Sequence, residues 1–362
     1  MNLFDKLSDP ELCRSVLDRI RGKVGERLKF MEVCGTHTVA IFQSGIRSVL
    51  TENVTHLSGP GCPVCVTHES EVAAFLELAG QDAVVATFGD LMRVPGPGGM
   101  DLKKAQAEGA RINVVYSPFD ALELARKNPT ERVVFLGVGF ETTAPTVAAT
   151  LNLAREQGVD NFFVLSFHKL VPPALRALVQ DGEVELDALL LPGHVSTIIG
   201  RQPYEFLARE YGIPSVIGGF DPLDILRAVL EMAEQLEQGR AEVVNCYKRA
   251  VGDEGNPNAR KMMDKVFCVQ DSQWRGLGTI PQSGLGLNDS FAAFDAEKEF
   301  ELEMKDVSPL PGCRCGEVLK GLICPDECPL FSKVCTPAKP VGPCMVSTEG
   351  SCAAYFKYSL GP

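Results

Sequence analysis

Cysteine supplies most of the chemistry that this sequence could do, since the chain has 13 cysteines among 362 residues. Two of them, Cys62 and Cys65, form a C-x-x-C pair in the segment GPGCPVC at 59–65. The pair is predicted to start a helix, and the N-terminus of a helix lowers the pKa of nearby thiols. Such thiols are redox-active or bind metals, whereas the alternative is a pair of buried structural cysteines. Gly59 and Gly61 let another group approach the backbone closely, which favours a functional pair.

A second candidate pair, Cys34 and His37, lies in the segment CGTHT at 34–38. The segment follows a predicted strand, and ligands bind at the carboxyl ends of strands in open α/β sheets. A thiolate and an imidazole at this spacing could bind one transition metal, or the imidazole could activate the thiol. The alternative for His37 is a structural hydrogen bond.

Three further loops that follow predicted strands carry polar groups. GFETTAP at 139–145 has the glycines of a phosphate-binding turn, but it lacks the third glycine of the dinucleotide fingerprint and the Lys-Ser/Thr of a P-loop. We therefore expect Glu141 to line a polar site or a partner surface. His168 in SFHK and His194 in PGHVS are each either a site residue or a loop histidine with only structural hydrogen bonds. His56 is expected to be structural.

Seven cysteines lie in a proline-rich segment from Cys313 to Cys352. Only Cys324 and Cys328 have the spacing typical of structural zinc, whereas a four-iron cluster accepts four cysteines at looser spacing. The pattern favours an iron–sulfur cluster over zinc. A third interpretation is that the cysteines bind no metal or form disulfides. A segment with so little regular structure needs a ligand to hold it.

The elements that must position these residues follow an α/β pattern between about residues 28 and 235. Short apolar, β-branched runs end in loops with Gly or Pro and are followed by helical stretches, which is typical of parallel sheets covered on both faces. The predicted strands are Leu28–Val33, Ala83–Thr87, Ile112–Tyr116, Arg132–Val138, Phe162–Ser166, Ala188–Leu191 and Pro214–Ile217. The predicted helices lie near 9–21, 68–80, 101–108, 119–127, 145–157, 172–180, 203–211 and 222–238.

Seven strands could form one doubly wound sheet or two smaller sheets, and we favour two. The prediction is therefore an α/β protein with two Rossmann-like parallel-sheet α/β domains and an irregular cysteine-rich C-terminal domain that binds an iron–sulfur cluster. We expect the first domain at 22–130 and the second at 131–238. The third is expected at 239–362, and residues 1–21 could also belong to it.

Composition excludes several classes of protein. Hydrophobic residues make up 45% and charged residues 23%, as in ordinary globular domains, and the net charge of −12 without a basic cluster argues against nucleic-acid binding. No apolar run approaches the roughly 20 residues of a membrane-spanning helix, and the N-terminal segment lacks the features of a signal peptide. We therefore expect a cytoplasmic protein, and the negative charge favours a monomer.

Taken together, five segments resemble the HypD family of NiFe-hydrogenase maturation factors. They are CGTHT at 34–38, GPGCPVC at 59–65, GFETTAP at 139–145, PGHVS at 192–196 and the cysteine-rich block from 313 to the end. The match runs from about residue 28 to the C-terminus. The resemblance implies two α/β domains and a cysteine-rich domain with a 4Fe-4S cluster. It also implies an accessory protein of cofactor assembly, not a free-standing metabolic enzyme, that works with HypC and HypE to build an iron centre carrying two cyanides and one CO, Fe(CN)2CO.

The resemblance also implies roles for individual residues. Cys34 would hold the iron of this centre with His37 close by, and Cys62 and Cys65 would be the redox-active pair between cluster and iron. The cluster ligands would be Cys313, Cys328, Cys335 and Cys352. The remaining cysteines of the block include an accessory dithiol, Cys315 with Cys344.

One departure from the family pattern is Cys324, whose spacing to Cys328 makes a different set of cluster ligands conceivable. Two other functions remain open on the residues alone. One is a stand-alone iron–sulfur thiol–disulfide reductase that uses Cys62 and Cys65. The other is a zinc-stabilised scaffold without a redox role.

Overall fold

A computed structural model describes residues 7–359 and shows an α/β fold with two sheets in which parallel pairing dominates. Each of the seven predicted strands is present, as is each predicted helix. The strands are β1 (Leu28–Glu32), β2 (Val54–Ser58), β3 (Val84–Thr87), β4 (Ile112–Val114), β5 (Val133–Gly139), β6 (Phe162–Lys169), β7 (Ala188–Leu191), β8 (Ser215–Ile217), β9 (Val243–Asn245), β10 (Phe267–Trp274) and β11 (Gly278–Leu287).

The helices have N-terminal residues suited to that position. Asp101 and Ser117 accept hydrogen bonds from backbone N–H groups of the helices that follow them, and several helices have Pro in the first turn. The helices are α1 (Pro10–Lys23), α2 (Gly35–Gln43), α3 (Ile46–Val49), α4 (Pro63–Val66), α5 (Glu69–Ala79), α6 (Leu102–Ala107), α7 (Pro118–Lys127), α8 (Ala144–Glu156), α9 (Val171–Asp181), α10 (Gly193–Ile199), α11 (Glu205–Tyr211), α12 (Pro222–Glu237), α13 (Pro257–Val266), α14 (Ala296–Glu299), α15 (Cys315–Lys320) and α16 (Ser351–Ser359).

The first sheet has five strands, all parallel, in the order β2-β1-β7-β8-β9. Its central strand β7 is buried along its whole length, as expected for a strand covered on both faces. β1 and β2 run side by side so that Glu32 is opposite Ser58. The loops that follow these two strands, which contain CGTHT and GPGCPVC, are therefore neighbours.

The second sheet has six strands in the order β10-β11-β6-β5-β3-β4. Strands β3 to β6 are parallel, and the hairpin β10–β11 adds to β6 in antiparallel pairing. The hairpin was not predicted because five of the eight residues of β10 are exposed and Gln270–Gln273 interrupt its apolar residues, so the sequence shows no sustained apolar run there.

The two sheets do not coincide with the predicted segments 22–130 and 131–238. β3 and β4 precede residue 130 and β5 and β6 follow it, yet all four lie in one sheet. The first sheet combines β1 and β2 with strands from beyond residue 187, so the chain passes from one sheet to the other and back. The predicted boundary at residues 130 and 131 instead lies in the link between α7 and β5, which are in contact with each other beside the second sheet.

Between β11 and residue 359 the chain has only short helices and turns, apart from α16. This part of the chain packs against both sheets: α14 contacts β6 of the second sheet, α15 contacts α4 and β2 of the first sheet, and α16 contacts α2. No helix between residues 7 and 359 has both the length and the apolar character needed to cross a membrane.

Candidate functional site

A cleft of about 400 Å³ lies where the loops of the two sheets face each other. Four of the motifs singled out from the sequence contribute to its lining, together with one residue of the C-terminal region. The lining residues include Val33, Cys34, Thr36, Gly61, Pro63, Phe140, Thr142, Thr143, Pro192, His194, Val195 and Glu349. The folded chain thus brings together segments that are more than 300 positions apart in sequence.

Cys34 is the thiol of this cleft. It is the N-cap residue of α2, and the backbone N–H groups of Thr36 and His37 face its sulfur. Burial raises the pKa of the Cys34 thiol to about 12, and the carboxylate of Glu349 adds to the effect. The thiol is therefore protonated at neutral pH without a metal, although two amides are already placed to stabilise the thiolate.

Glu349 has no counterpart among the residues that the sequence pointed to. Its side chain accepts a hydrogen bond of 2.8 Å from the Thr36 hydroxyl, and it lies against the start of α2 so closely that a Cβ at Gly35 would be 2.5 Å from the Glu349 Cβ. Gly35, the glycine of CGTHT, thus allows the C-terminal region to pack closely against the start of α2. The sequence carried no signal for this contact, because Glu349 is a single acidic residue in a loop.

His37 is completely buried, and its side chain is held away from the lining of the cleft. Its Nε2–H donates to the carbonyl of Gly219 over 2.9 Å, and its ring packs on Phe220 with centroids 4.5 Å apart. Burial lowers the pKa of His37 to about 4, so the imidazole is neutral. Nδ1 has no hydrogen-bond partner among the described residues.

His194 stacks on the same Phe220, with ring centroids 4.0 Å apart, and lines the cleft. His168 lies elsewhere, buried beside Ser166, and burial lowers its pKa to about 3. His56 is likewise buried, next to Phe30. Of these three histidines, only His194 reaches the cleft.

Glu141 is buried behind the cleft wall formed by the two threonines that follow it. Oε1 accepts a hydrogen bond of 3.0 Å from the Val171 backbone N–H, whereas Oε2 has no partner in the described part of the chain. Burial raises the pKa of Glu141 to about 7, so the carboxyl group is partly protonated at neutral pH.

The segment GPGCPVC packs backbone against backbone on the Cys34 loop. Gly35 N–H donates to the Gly61 carbonyl over 2.9 Å, and a Cβ on Gly61 would lie 2.1 Å from the Cys34 backbone nitrogen. Gly61 thus makes room for the Cys34 loop itself. Cys62 and Cys65 follow at once, at disulfide distance from each other with Cα atoms 5.2 Å apart, and both are buried.

Cys315 and Cys344 form the second pair at disulfide distance, with Cα atoms 6.5 Å apart. Helix α4, which carries Cys65, contacts both α15, which begins with Cys315, and the short turn Pro343–Met345. The two cysteine pairs therefore lie on neighbouring elements of one core.

A small cavity beyond the second pair is lined by six cysteines. Besides Cys315 and Cys344, these are the four that the family resemblance indicated as cluster ligands: Cys313, Cys328, Cys335 and Cys352. These four cysteines are not in disulfides. Burial is the main cause that raises the pKa of Cys352, and the other three thiolates are close enough to raise it further.

The donors of this cavity suit an iron–sulfur cluster, because they are all thiols and the other lining side chains are apolar except for Arg314. Cys324 does not line it; its sulfur lies beside the hydroxyl of Tyr355. Within residues 7–359, no three or more His, Cys, Asp or Glu side chains are arranged to hold a single metal ion.

Known proteins are similar to this sequence over nearly its whole length. A family model named HypD and described as a hydrogenase formation family matches residues 11–359. The chain is 45% identical to the hydrogenase maturation factor HypD of Cupriavidus necator and 44% identical to that of Escherichia coli. Each match covers 99% of this chain and 97% and 98% of the respective relative.

A putative hydrogenase expression/formation protein of Methanocaldococcus jannaschii is 43% identical over 97% of this chain and 98% of its own length. The cleft motifs, the two cysteine pairs and the cysteine-lined cavity thus lie within a match that extends over the whole described fold. The chain belongs to the HypD family.

Proposed function

We propose that this chain is a NiFe-hydrogenase maturation factor that holds iron in the cleft at Cys34 while cyanide and CO ligands are attached to it, in a complex with HypC and HypE. The observation that carries the proposal is the convergence of four separated motifs and Glu349 on one cleft around a single free thiol. A thiolate suits an electron-rich iron that carries cyanide and CO. The cleft is open to solvent, so a partner could supply the remaining iron ligands.

In this proposal the residues around Cys34 have distinct tasks. Iron binding must displace the thiol proton, and the Thr36 and His37 amides are placed to stabilise the resulting thiolate. Thr142, Thr143 and His194 offer polar groups toward the ligands of the iron. His37 donates to Gly219, whose neighbour Phe220 stacks on His194 of the cleft, and is in our proposal a positioning residue.

The cysteine-lined cavity would hold a 4Fe-4S cluster through Cys313, Cys328, Cys335 and Cys352, and such a cluster supplies single electrons at low potential. Cys315 with Cys344 and Cys62 with Cys65 lie between this cavity and the cleft. The two pairs could exchange a disulfide with each other, which would pass two electrons toward the Cys34 loop.

The burial of Cys62 and Cys65 argues against a stand-alone protein-disulfide reductase. Their residues are only 4% and 0% exposed, so the thiolate of a folded substrate protein could not reach either sulfur. The four free cysteines surround the cavity, yet among residues 7–359 no three of them are arranged to hold a single metal ion, which favours a cluster over a purely architectural zinc site.

The test is to co-purify the chain anaerobically with HypC and HypE and to record infrared spectra for cyanide and CO stretching bands. We expect these bands in the wild-type complex and their loss in Cys34→Ser. Cys268→Ser is the matched control, since Cys268 is exposed on the hairpin and does not line the cleft. Bands that persist in Cys34→Ser would overturn the assignment of the iron ligand. Iron and sulfide quantitation tests the cluster: about four of each per chain are expected.

A further inference from the structure

The end of the hairpin β10–β11 is tied to the segment that follows Cys65. Thr67 and Trp274 form an isolated antiparallel bridge, and the Arg275 backbone N–H donates to the Val66 carbonyl over 2.9 Å. The Arg275 side chain reaches the same segment, because its Nε–H donates to the Thr67 carbonyl over 3.0 Å. One residue thus binds the two positions directly after the first cysteine pair.

The guanidinium of Arg275 also pairs with the carboxylate of Glu69, at the start of α5. Both side chains are buried, at 4% and 9% exposure. Arginine keeps its charge in such a place and donates in a fixed planar geometry, so the contact fixes direction as well as distance. Removing one partner of a buried ion pair leaves the other charge uncompensated.

The next residue, Gly276, ties the hairpin to the second cysteine pair. Its φ is +79°, and a Cβ there would lie 2.4 Å from the Cα of Gly316, the neighbour of Cys315. Backbone therefore meets backbone at this point, with no side chain between. Arg275, Cys313 and Cys315 also line one cleft. The turn at 275–276 is in direct contact with the segments of both cysteine pairs.

A second buried cation holds the same hairpin but has no such double contact. The Lys169 ammonium pairs with Glu71 at 2.7 Å and donates to the Gln273 carbonyl at 2.7 Å and to the Ser272 hydroxyl at 3.0 Å. These partners lie on α5 and β10, and none belongs to the Cys315 segment. Lys169 therefore provides a comparison in which burial and pairing are alike and the link to Cys315 is missing.

We propose that Arg275 is a positioning residue that holds the Cys62–Cys65 and Cys315–Cys344 pairs in the relative orientation needed for disulfide exchange between them. The inference rests on the exchange put forward under the proposed function and names the residue that aligns it. A thiolate of the reduced pair attacks a sulfur of the oxidised pair, so one S–S bond forms as another breaks. The released thiolate takes up the proton that the attacking thiol lost. The second thiol of the attacking pair then completes the transfer, which leaves that pair oxidised and the other reduced.

The experiment follows this exchange in the full chain under anaerobic conditions. The protein is fully reduced, one equivalent of diamide is added, and samples are quenched with acid and alkylated for peptide mass spectrometry. The oxidised share of each pair is measured against time. The wild type is compared with Arg275→Gln and, because that variant leaves Glu69 unpaired, with the neutral double variant Glu69→Gln/Arg275→Gln. The matched control is Glu71→Gln/Lys169→Gln.

We expect the pairs of the folded Glu69→Gln/Arg275→Gln variant to reach their common equilibrium about 10- to 100-fold more slowly than in the wild type, since a displacement of about 1 Å has effects of that size on reactions between positioned groups. The Lys169 control should stay within about threefold of the wild type. Wild-type rates in the Arg275 double variant would overturn the inference, as would an equal slowing in the control, because both would show that Arg275 contributes only general stability. A wild type that exchanges no disulfide between the pairs would instead overturn the proposed exchange itself.

Discussion

Gly61→Ala is the substitution that tests most directly whether the two cysteine-bearing loops must touch. A Cβ at this position would lie 2.1 Å from the Cys34 nitrogen and 2.2 Å from the Val33 carbonyl carbon. Both are backbone atoms, so no side-chain rotation can make room. The loops must separate by more than 1 Å to restore the roughly 3.4 Å of an ordinary contact.

The expected cost combines two effects. Overpacking of a tight contact typically destabilises by about 1–3 kcal/mol, and weakening the hydrogen bond from Gly35 N–H to the Gly61 carbonyl adds about 1 kcal/mol. We therefore expect the free energy of unfolding to fall by about 2–4 kcal/mol. Gly22→Ala is the matched control, because Gly22 lies in α1 with no atom near its added Cβ, and there we expect no loss.

The chain carries its own probe for this measurement. Its single tryptophan, Trp274, is buried and paired with Thr67, a few residues after the affected contact. Urea unfolding followed by tryptophan fluorescence reports the midpoint, and the rate of Cys34 alkylation in the folded protein reports whether the loop has opened. We expect a lower midpoint and faster alkylation in Gly61→Ala. A wild-type midpoint together with a wild-type alkylation rate would refute the close contact between the loops.

Three more predictions concern charged or titratable side chains. Glu349→Gln removes a carboxylate that raises the pKa of Cys34, so Cys34 should react faster with iodoacetamide at pH 8, which peptide mass spectrometry measures. Lys169→Met should lower the free energy of unfolding in urea by about 3–5 kcal/mol, whereas Arg176→Ala, at an exposed pair, should change it by less than about 1 kcal/mol. Burial lowers the pKa of His56 to about 3 from 6.5, so the unfolded state binds a proton first and stability falls as pH drops below 6.5. His56→Phe should reduce by up to about 3 kcal/mol the loss of unfolding free energy between pH 7 and pH 4. A urea midpoint that falls between pH 7 and pH 4 as much as in the wild type would contradict the burial argument.

Local pattern was sufficient to find most of the elements but not to assign them to sheets. β5 and β7 are buried throughout and appear in the sequence as unbroken apolar runs, so they were readily predicted. Sheet membership depends instead on which strands pair, and pairing between β1 and β7 joins residues about 160 positions apart. A single sequence contains no signal for contacts at that distance, and this is why the predicted boundary near residue 130 does not separate the sheets.

The candidate site was predicted to a different extent for each residue. The C-x-x-C pair was identified because cysteines at the start of a helix are typical of reactive and metal-binding thiols. Cys34 was identified because it follows a predicted strand, where ligands bind in open α/β sheets. His37 was identified as close to the thiol, yet on a helix that begins at Gly35 its side chain points toward Gly219. Glu349 was missed because an isolated acidic residue in a loop gives no pattern.

The interleaving of the two sheets also accounts for how a cysteine-rich region that lacks a sheet of its own can influence the cleft. Strands β1 and β2 end beside each other, so Gly35 and Gly61 meet there, and Glu349 closes on the same point from the C-terminal region. The hairpin β10–β11 then links the segment after Cys65 to the segment after Cys315. The contacts between Gly35 and Gly61 and between Gly276 and Gly316 are backbone against backbone, and the hairpin is also held by the buried Arg275–Glu69 pair; such contacts tolerate little displacement. We therefore expect a change at either cysteine pair to displace the Cys34 loop, because only a few tight contacts separate each pair from that loop.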